Sequence, residues 1–280
     1  MRNVQVMTRP RWGLLAPDLL SWSGARAGAR FTDIPLTYHV RNADGATVTL
    51  TMPRIVTGDK TVAARINAVL HRVLLDIPPP DDGDPATPRL IEADTPLQAI
   101  IPDGVRRMNG GRTLSVFVTT EGCGAYCVTQ ALQIDFDPRT GRALTDKDIV
   151  TPRGRAILGA WAIKARALRL RREIARLSKP GARAGGHDAA DLALQKAMYA
   201  TCLKERYTPG GGMYAYYRDS PGVMTIQEGA LGFSVGACAN HAMRALDDLG
   251  DHDLTYKARR SRPWLTAYGR YLLPGEGAAP

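Results

Sequence analysis

The stretch LSVFVTTEGCGAYCVTQALQIDFDPRTGRALTDKDIV, Leu114 to Val150, decides the fold. Leu114 to Val118 is a run of β-formers. Val128 to Phe136 alternates, with Leu132, Ile134 and Phe136 on one face and Gln133 and Asp135 on the other, the period-two pattern of a strand with one apolar side. Asp137-Pro138-Arg139-Thr140-Gly141 supplies turn chemistry. Thr145 then stands where a helix cap is needed before Asp146-Lys147-Asp148. Two strands, a turn and a short helical turn follow one another here, and with the elements around them the predicted class is α+β, with antiparallel sheets packed against helices.

Working outward, Leu36, Tyr38 and Val40 alternate, Asn42 to Gly45 turn, and Val48, Leu50 and Met52 alternate again; this predicts a hairpin. Pro53 stops it. A helix follows Asp59, with Val62, Ile66, Val69, Leu70 and Val73 as its apolar stripe and Asn67 beside that stripe as a surface or capping residue. Residues 77–89 are rich in Pro and Asp and mark a joint. The predicted organisation is an irregular segment at 1–33, a hairpin-and-helix sub-domain at 34–76, the linker 77–89, a main domain at 90–272 and a disordered tail at 273–280.

Downstream, 154–178 predicts one long basic amphipathic helix with Ala156, Ala160, Ile163, Ala167, Leu170, Ile174 and Leu177 as its buried stripe. Pro180-Gly181 ends it. Trp161 and Leu168, seven apart, lie on another side. Core packing is the expectation for them, because tryptophans bury most of their area; the alternative makes them exposed anchors. Further helices are predicted at 189–206 and 239–249, a strand at 213–217, and a hairpin at 223–235.

The chain has 280 residues, a net charge of +10 and a 44% hydrophobic composition, enough for one large core or two modest ones. Its longest apolar runs, such as Ala160 to Ile163 and Ala230 to Ala239, are too short or interrupted to cross a bilayer as a helix. Charge is clustered: Arg153 to Arg183 holds ten basic residues against Glu173, a net +9. This reads either as a patch for an anionic partner or as a solvated helix face.

The cysteines are Cys123, Cys127, Cys202 and Cys238. Disulfides are expected, most simply Cys123 with Cys127 and Cys202 with Cys238 out of three connectivities, and they imply an oxidising compartment. The rivals are a zinc site using Cys238 and His241, or four buried thiols. Export needs a signal: Arg2, Arg9 and Arg11 lead a weak apolar stretch from Trp12 to Ala25, but Pro17 and Asp18 interrupt it. Either the signal is degenerate, the natural start lies elsewhere, or the protein stays inside; the expected location is periplasmic or extracellular.

No catalytic or cofactor motif is found: no G-x-S-x-G, H-E-x-x-H, Walker loop or G-x-G-x-x-G. Gly210-Gly211-Gly212 lacks the Lys-Ser/Thr of a phosphate cradle. His241, Asp247, Asp248, Asp251, His252 and Asp253 are dense enough to raise a metal site with Cys238, but read better as helix-end and turn residues. Asp135 and Asp137 share a strand face, yet Asp137 before Pro138 reads as a turn former. No cofactor or metal is expected.

Two stretches resemble a bacterial extracytoplasmic family that includes the sensor domain of a lysozyme-binding anti-sigma factor and domains attached to peptidoglycan deacetylases. They are Pro53-Arg54-Ile55-Val56 through Ala64-Arg65-Ile66-Asn67-Ala68-Val69-Leu70, and Leu114-Ser115-Val116 through Ile134-Asp135-Phe136-Asp137-Pro138-Arg139-Thr140-Gly141 to Ile149. The Cys123–Cys127 insertion, the arginine-rich helix and the Cys238–His241 region depart from that pattern. The resemblance implies an envelope location and a recognition role rather than an activity.

The expected function is therefore a non-catalytic envelope binding protein, of the inhibitor or immunity type, against a wall-degrading enzyme or toxin. Its surface is expected to comprise Trp161, Arg166, Arg169, Arg172 and Arg176, since Trp and Arg are enriched in hot spots. Lysozymes are themselves basic, so the patch better suits an acidic protein, an anionic wall polymer or a phospholipid surface. The alternatives are an enzyme acting on wall material through an unrecognised site, and a nucleic-acid binder using the basic helix; nucleic acid is the lesser option, because the helix carries a single aromatic.

Overall fold

The computed structural model describes residues 30–41, 45–79, 88–92, 97–123, 127–179, 188–219, 223–239 and 241–274. Expectations for the leading segment, the Gly124–Tyr126 turn, most of the Pro/Asp segment and the last six residues lie outside these. The class is α+β. The chain divides into two compact units, one ending at Thr145 and one beginning at Asp146.

In the first unit, β1 (Thr32–Arg41) pairs antiparallel with β2 (Thr47–Val56). β3 (Arg89–Glu92) joins the other side of β1 in parallel, giving the order β2-β1-β3. The strand after the Pro/Asp-rich segment thus completes the sheet begun before it. The boundary between the two units follows Thr145. A second sheet has the order β4-β5-β6, from β4 (Leu97–Met108), β5 (Thr113–Cys123) and β6 (Cys127–Phe136), all antiparallel. β4 escaped the sequence reading because Pro102-Asp103-Gly104 looks like a turn; here it is a bulge on an edge strand, with Gly104 at φ +103°, where proline and glycine are tolerated.

Helix α1 (Lys60–Leu75) starts where expected: the Asp59 carboxylate accepts from the backbone N–H groups of Thr61 and Val62. Val62, Ile66 and Leu70 join Leu36, Tyr38, Val40, Leu50, Met52, Leu114, Val116, Val118 and Phe136 in one core. Val73, expected in the stripe, is 38% exposed; the buried face turns instead through His71, Leu74 and Leu75.

Asn67 is more than a surface residue. Its side chain accepts from Ile55 N (2.8 Å) and donates to Ile55 O (3.0 Å), pairing with backbone groups of an edge strand. Arg65 donates to Thr140 O. A Cβ on Gly141, at φ +70°, would lie 2.5 Å from Val62 O. The two stretches that carry the family resemblance therefore meet at α1.

In the second unit, α2 (Asp146–Ile149) leads into α3 (Pro152–Leu177), capped by Thr151, whose hydroxyl accepts from Gly154 N. α4 (Ala189–Tyr207) follows, capped by Asp188. The segment 213–217, predicted as a strand from its aromatic run, belongs to a short helix, α5 (Tyr214–Asp219). Met213 N donates to Glu205 O and Tyr217 N to Met213 O, so Tyr214 and Tyr217, three apart, both face the helical core.

β7 (Val223–Gln227), β8 (Ala230–Val235) and β9 (His252–Lys257) form an antiparallel sheet in that order. Between β8 and β9 the predicted helix at 239–249 is a 3₁₀ turn at His241–Leu246. α6 (Ala258–Ser261) and α7 (Ala267–Leu272) close the unit. No helix among the described residues is long and apolar enough to cross a membrane.

Candidate functional site

α3 separates its residues by circumference. Leu158, Ala162, Ile163, Arg166, Ala167, Leu170 and Leu177 are buried. From Ala162 onward this face packs with Tyr199, Cys202 and Tyr207 of α4 and Val235 of β8. Ala156 and Ala160, placed in the stripe by sequence, are exposed, because the buried face is centred near Ala162 and Arg166 and not on the Ala156–Ala160 side of the helix. Trp161, Lys164, Leu168, Arg171 and Arg172 are exposed and span roughly 100° of arc at 100° per residue.

Trp161 was expected in the core, yet it is 37% exposed and Leu168 41%. Trp161 is held from one side by aromatic neighbours. The Trp264 ring meets it edge-on at 4.8 Å, and Tyr256 lies at 5.6 Å with Phe233 behind it at 5.5 Å. The backbone that carries Trp264 is fixed in turn: Thr151 donates to Trp264 O from both N (2.8 Å) and Oγ1 (3.0 Å). Gly154 permits this approach, since a Cβ there would lie 2.5 Å from Trp264 Cβ.

The arginines proposed from sequence divide sharply. Arg166 is 0% exposed and so is no surface contact. Its Nη2 lies 3.8 Å from Cys238 Sγ, its Nε and Nη1 have no hydrogen-bond partner among the described residues, and burial lowers its pKa. Arg169 donates to the carbonyls of Leu249 and Asp251, and so works as an internal tie. Arg176 is partly exposed but bound to Glu173 on its own helix. Of the four, Arg172 is the one the structure leaves fully at the surface, and the neighbouring Lys164 and Arg171, not singled out from sequence, join it there.

Around Arg166 is a dense polar network. Asp247 accepts from Cys238 N, Ala239 N, Gly250 N and the Tyr199 hydroxyl. Asp251 accepts from Ala237 N, and Gln195 donates to Asp248. These aspartates cap and close turns. Among the described residues no group of three or more His, Cys, Asp or Glu is placed to hold a metal; the His241 side chain lies outside them. Burial pushes the Tyr207 hydroxyl up to about 12, and burial beside Arg169 and Arg166 pulls His252 down to about 4.

Cys202 and Cys238 form a disulfide that ties α4 to the segment after β8. Cys127 is also disulfide-bonded; its register partner on β5 is Cys123, whose side chain lies outside the described residues. None of the described cysteines is free.

The first unit buries polar groups that serve its own packing. His71 Nδ1 donates to Asn67 O, so its Nε2 accepts from the Tyr38 hydroxyl, each at 2.8 Å; burial lowers the His71 pKa and raises that of Tyr38. Asp135 accepts from Ser115 and Gln133. Asp137 accepts from the backbone and side chain of Arg139, the turn role expected of it.

No family model matches the chain, and no curated protein matches it. Solved structures similar to it include two bacterial proteins. One is a DUF3298 family protein from Pseudomonas aeruginosa PAO1, at 12% identity and TM-score 0.45, covering 90% of this chain and 99% of that one. The other is a DUF3298 family member from Bacteroides fragilis NCTC 9343, at 9% identity and TM-score 0.35, covering 87% of this chain and 96% of that one.

Proposed function

We propose that the protein is a non-catalytic binding module of the bacterial cell envelope, and that its partner is anionic. The observation that carries this reading is the outer face of α3, where Lys164, Arg171 and Arg172 stand exposed beside Trp161 and Leu168. Cations ringing an exposed aromatic combine long-range attraction with an apolar anchor. The Cys202–Cys238 disulfide supports an oxidising compartment. An inhibitor or immunity role fits if the wall-degrading enzyme or toxin it caps is acidic.

The test is capture from an envelope fraction with the purified chain as bait. Lys164→Glu, Arg171→Glu and Arg172→Glu together reverse the exposed charge without touching the packed face. Capture is expected to be lost in the triple variant and to survive nuclease treatment. Undiminished capture by the triple variant refutes the reading, and capture that disappears with nuclease transfers the helix to nucleic acid.

A further inference from the structure

We infer that the Cys202–Cys238 disulfide is a redox-active bond, opened by a dithiol reductant, and that Arg166 draws the negative charge released by its cleavage onto Cys238. This is independent of the reading of α3 as a recognition face. Arg166 heads the fully buried side chains by volume among the described residues. A guanidinium taken out of water needs a counter-charge or a full set of acceptors. Among the described residues no carboxylate forms an ion pair with it, its Nε and Nη1 find no acceptor, and its Nη2 reaches Cys238 Sγ at 3.8 Å, where a disulfide sulfur is a weak acceptor.

The charged groups nearby are committed elsewhere. Asp247 accepts from three backbone N–H groups and the Tyr199 hydroxyl, and Asp251 accepts from Ala237 N. Arg169 donates to the carbonyls of Leu249 and Asp251. Tyr207 on α4 and His252 on β9 also face the guanidinium, and burial keeps both uncharged at neutral pH.

Cleavage supplies the missing counter-charge. A thiolate of the reductant attacks Cys202 Sγ, the S–S bond breaks, and its electron pair leaves on Cys238 Sγ, beside Arg166. The second thiol of the reductant then attacks the mixed disulfide and releases Cys202, which takes up a proton. The protein disulfide gains two electrons and the dithiol loses two; the products are a Cys202 thiol, a Cys238 thiolate, the oxidised reductant and one proton. Exchange is favoured when the leaving sulfur is a stable anion. Reduction still costs the stability that the closed loop supplies, and the new ion pair offsets part of it. An adjacent cation favours a thiolate, whereas burial alone disfavours it, so the two effects differ in sign.

The experiment begins with the full chain carrying Cys202→Ser, which leaves Cys238 as a lone thiol, titrated by far-ultraviolet thiolate absorbance. Cys238 is expected to ionise below the ordinary thiol value of about 8.5; ionisation at or above that value overturns the inference. This measurement stands by itself if Arg166→Met fails to fold. Where that variant folds, adding it to Cys202→Ser should push the ionisation above the ordinary value, and no change overturns the inference. With Cys202 restored, the disulfide should be roughly tenfold easier to reduce in the wild type than in Arg166→Met at pH 8, since each pH unit by which the leaving thiol ionises below the working pH is a factor of ten. Equilibration with dithiothreitol, alkylation and peptide masses read the Cys202–Cys238 bond apart from Cys123 and Cys127. Equal equilibrium constants overturn the role of Arg166.

Discussion

Acid should loosen the second unit through a single histidine. His252 opens β9 opposite Val235 on β8, and its Nδ1 is buried with no hydrogen-bond partner among the described residues. Burial first, and then the charges of Arg169 and Arg166, hold its pKa near 4 against an ordinary 6.5. Arg169 cannot swing away cheaply, because it donates to the carbonyls of Leu249 and Asp251. The unfolded chain takes up the proton as pH falls through 6.5, and the folded chain does so only near 4. Stability is therefore complete above 6.5 and lost progressively down to 4. The gap corresponds to about 3 kcal/mol, which partial exposure of the ring reduces to about 2 kcal/mol. The assay is urea unfolding at pH 7 and pH 4 for the wild type and His252→Gln. Carboxylates and His71 contribute alike to both proteins, so the difference isolates His252. The variant should lose about 2 kcal/mol less than wild type between the two pH values; equal losses refute the argument.

Three further outcomes follow from the packing. Reducing the Cys202–Cys238 disulfide, which closes a sequence separation of 36, should cost roughly 3–4 kcal/mol by loop entropy, read as a lower melting temperature in dithiothreitol; an unchanged value for a Cys202→Ser/Cys238→Ala variant contradicts it. Asn67→Ala strips two hydrogen bonds from Ile55 and should destabilise by about 1–3 kcal/mol. Asn67→Asp should do no better, since it keeps the acceptor but sets a carboxylate against Ile55 O; chemical denaturation compares them. Gly154→Ala forces a Cβ into Trp264 and Val150 and should cost about 1–3 kcal/mol while altering near-ultraviolet circular dichroism, because Trp264 supports Trp161.

Local pattern was legible wherever it also decided burial. The alternation of Val128 to Phe136, the Asp59 cap and the Asp137 turn needed only nearest neighbours, and each stands as read. β9 was hidden because His252 and Asp253 drew attention as metal ligands, although Leu254 and Tyr256 alternate with exposed Thr255 and Lys257. The 213–217 segment misled because aromatic density favours strands, while the decision lay in a backbone bond to Glu205 across a glycine loop. Arg166 could not be told from Arg172 by charge, since both lie in one arginine-rich run. Only the packing of α4 against α3 assigns one to the core and the other to the surface.

That division changes how the charge should be probed. The +9 of residues 153–183 suggests that any arginine in the run samples the patch, and Arg169 stands near its middle. Reversing Arg169 would instead cut its bonds to Leu249 and Asp251 and set a carboxylate near Asp247 and Asp251, among the charges that surround Arg166. Binding would then fall through loss of structure, and the loss would pass for recognition. Lys164, Arg171 and Arg172 carry charge of the same sign at exposed positions of the same helix, outside the packed cluster, where reversal leaves the packed face intact. A binding defect in that triple variant, with the urea midpoint unmoved, can be attributed to the surface; one accompanied by a lowered midpoint cannot.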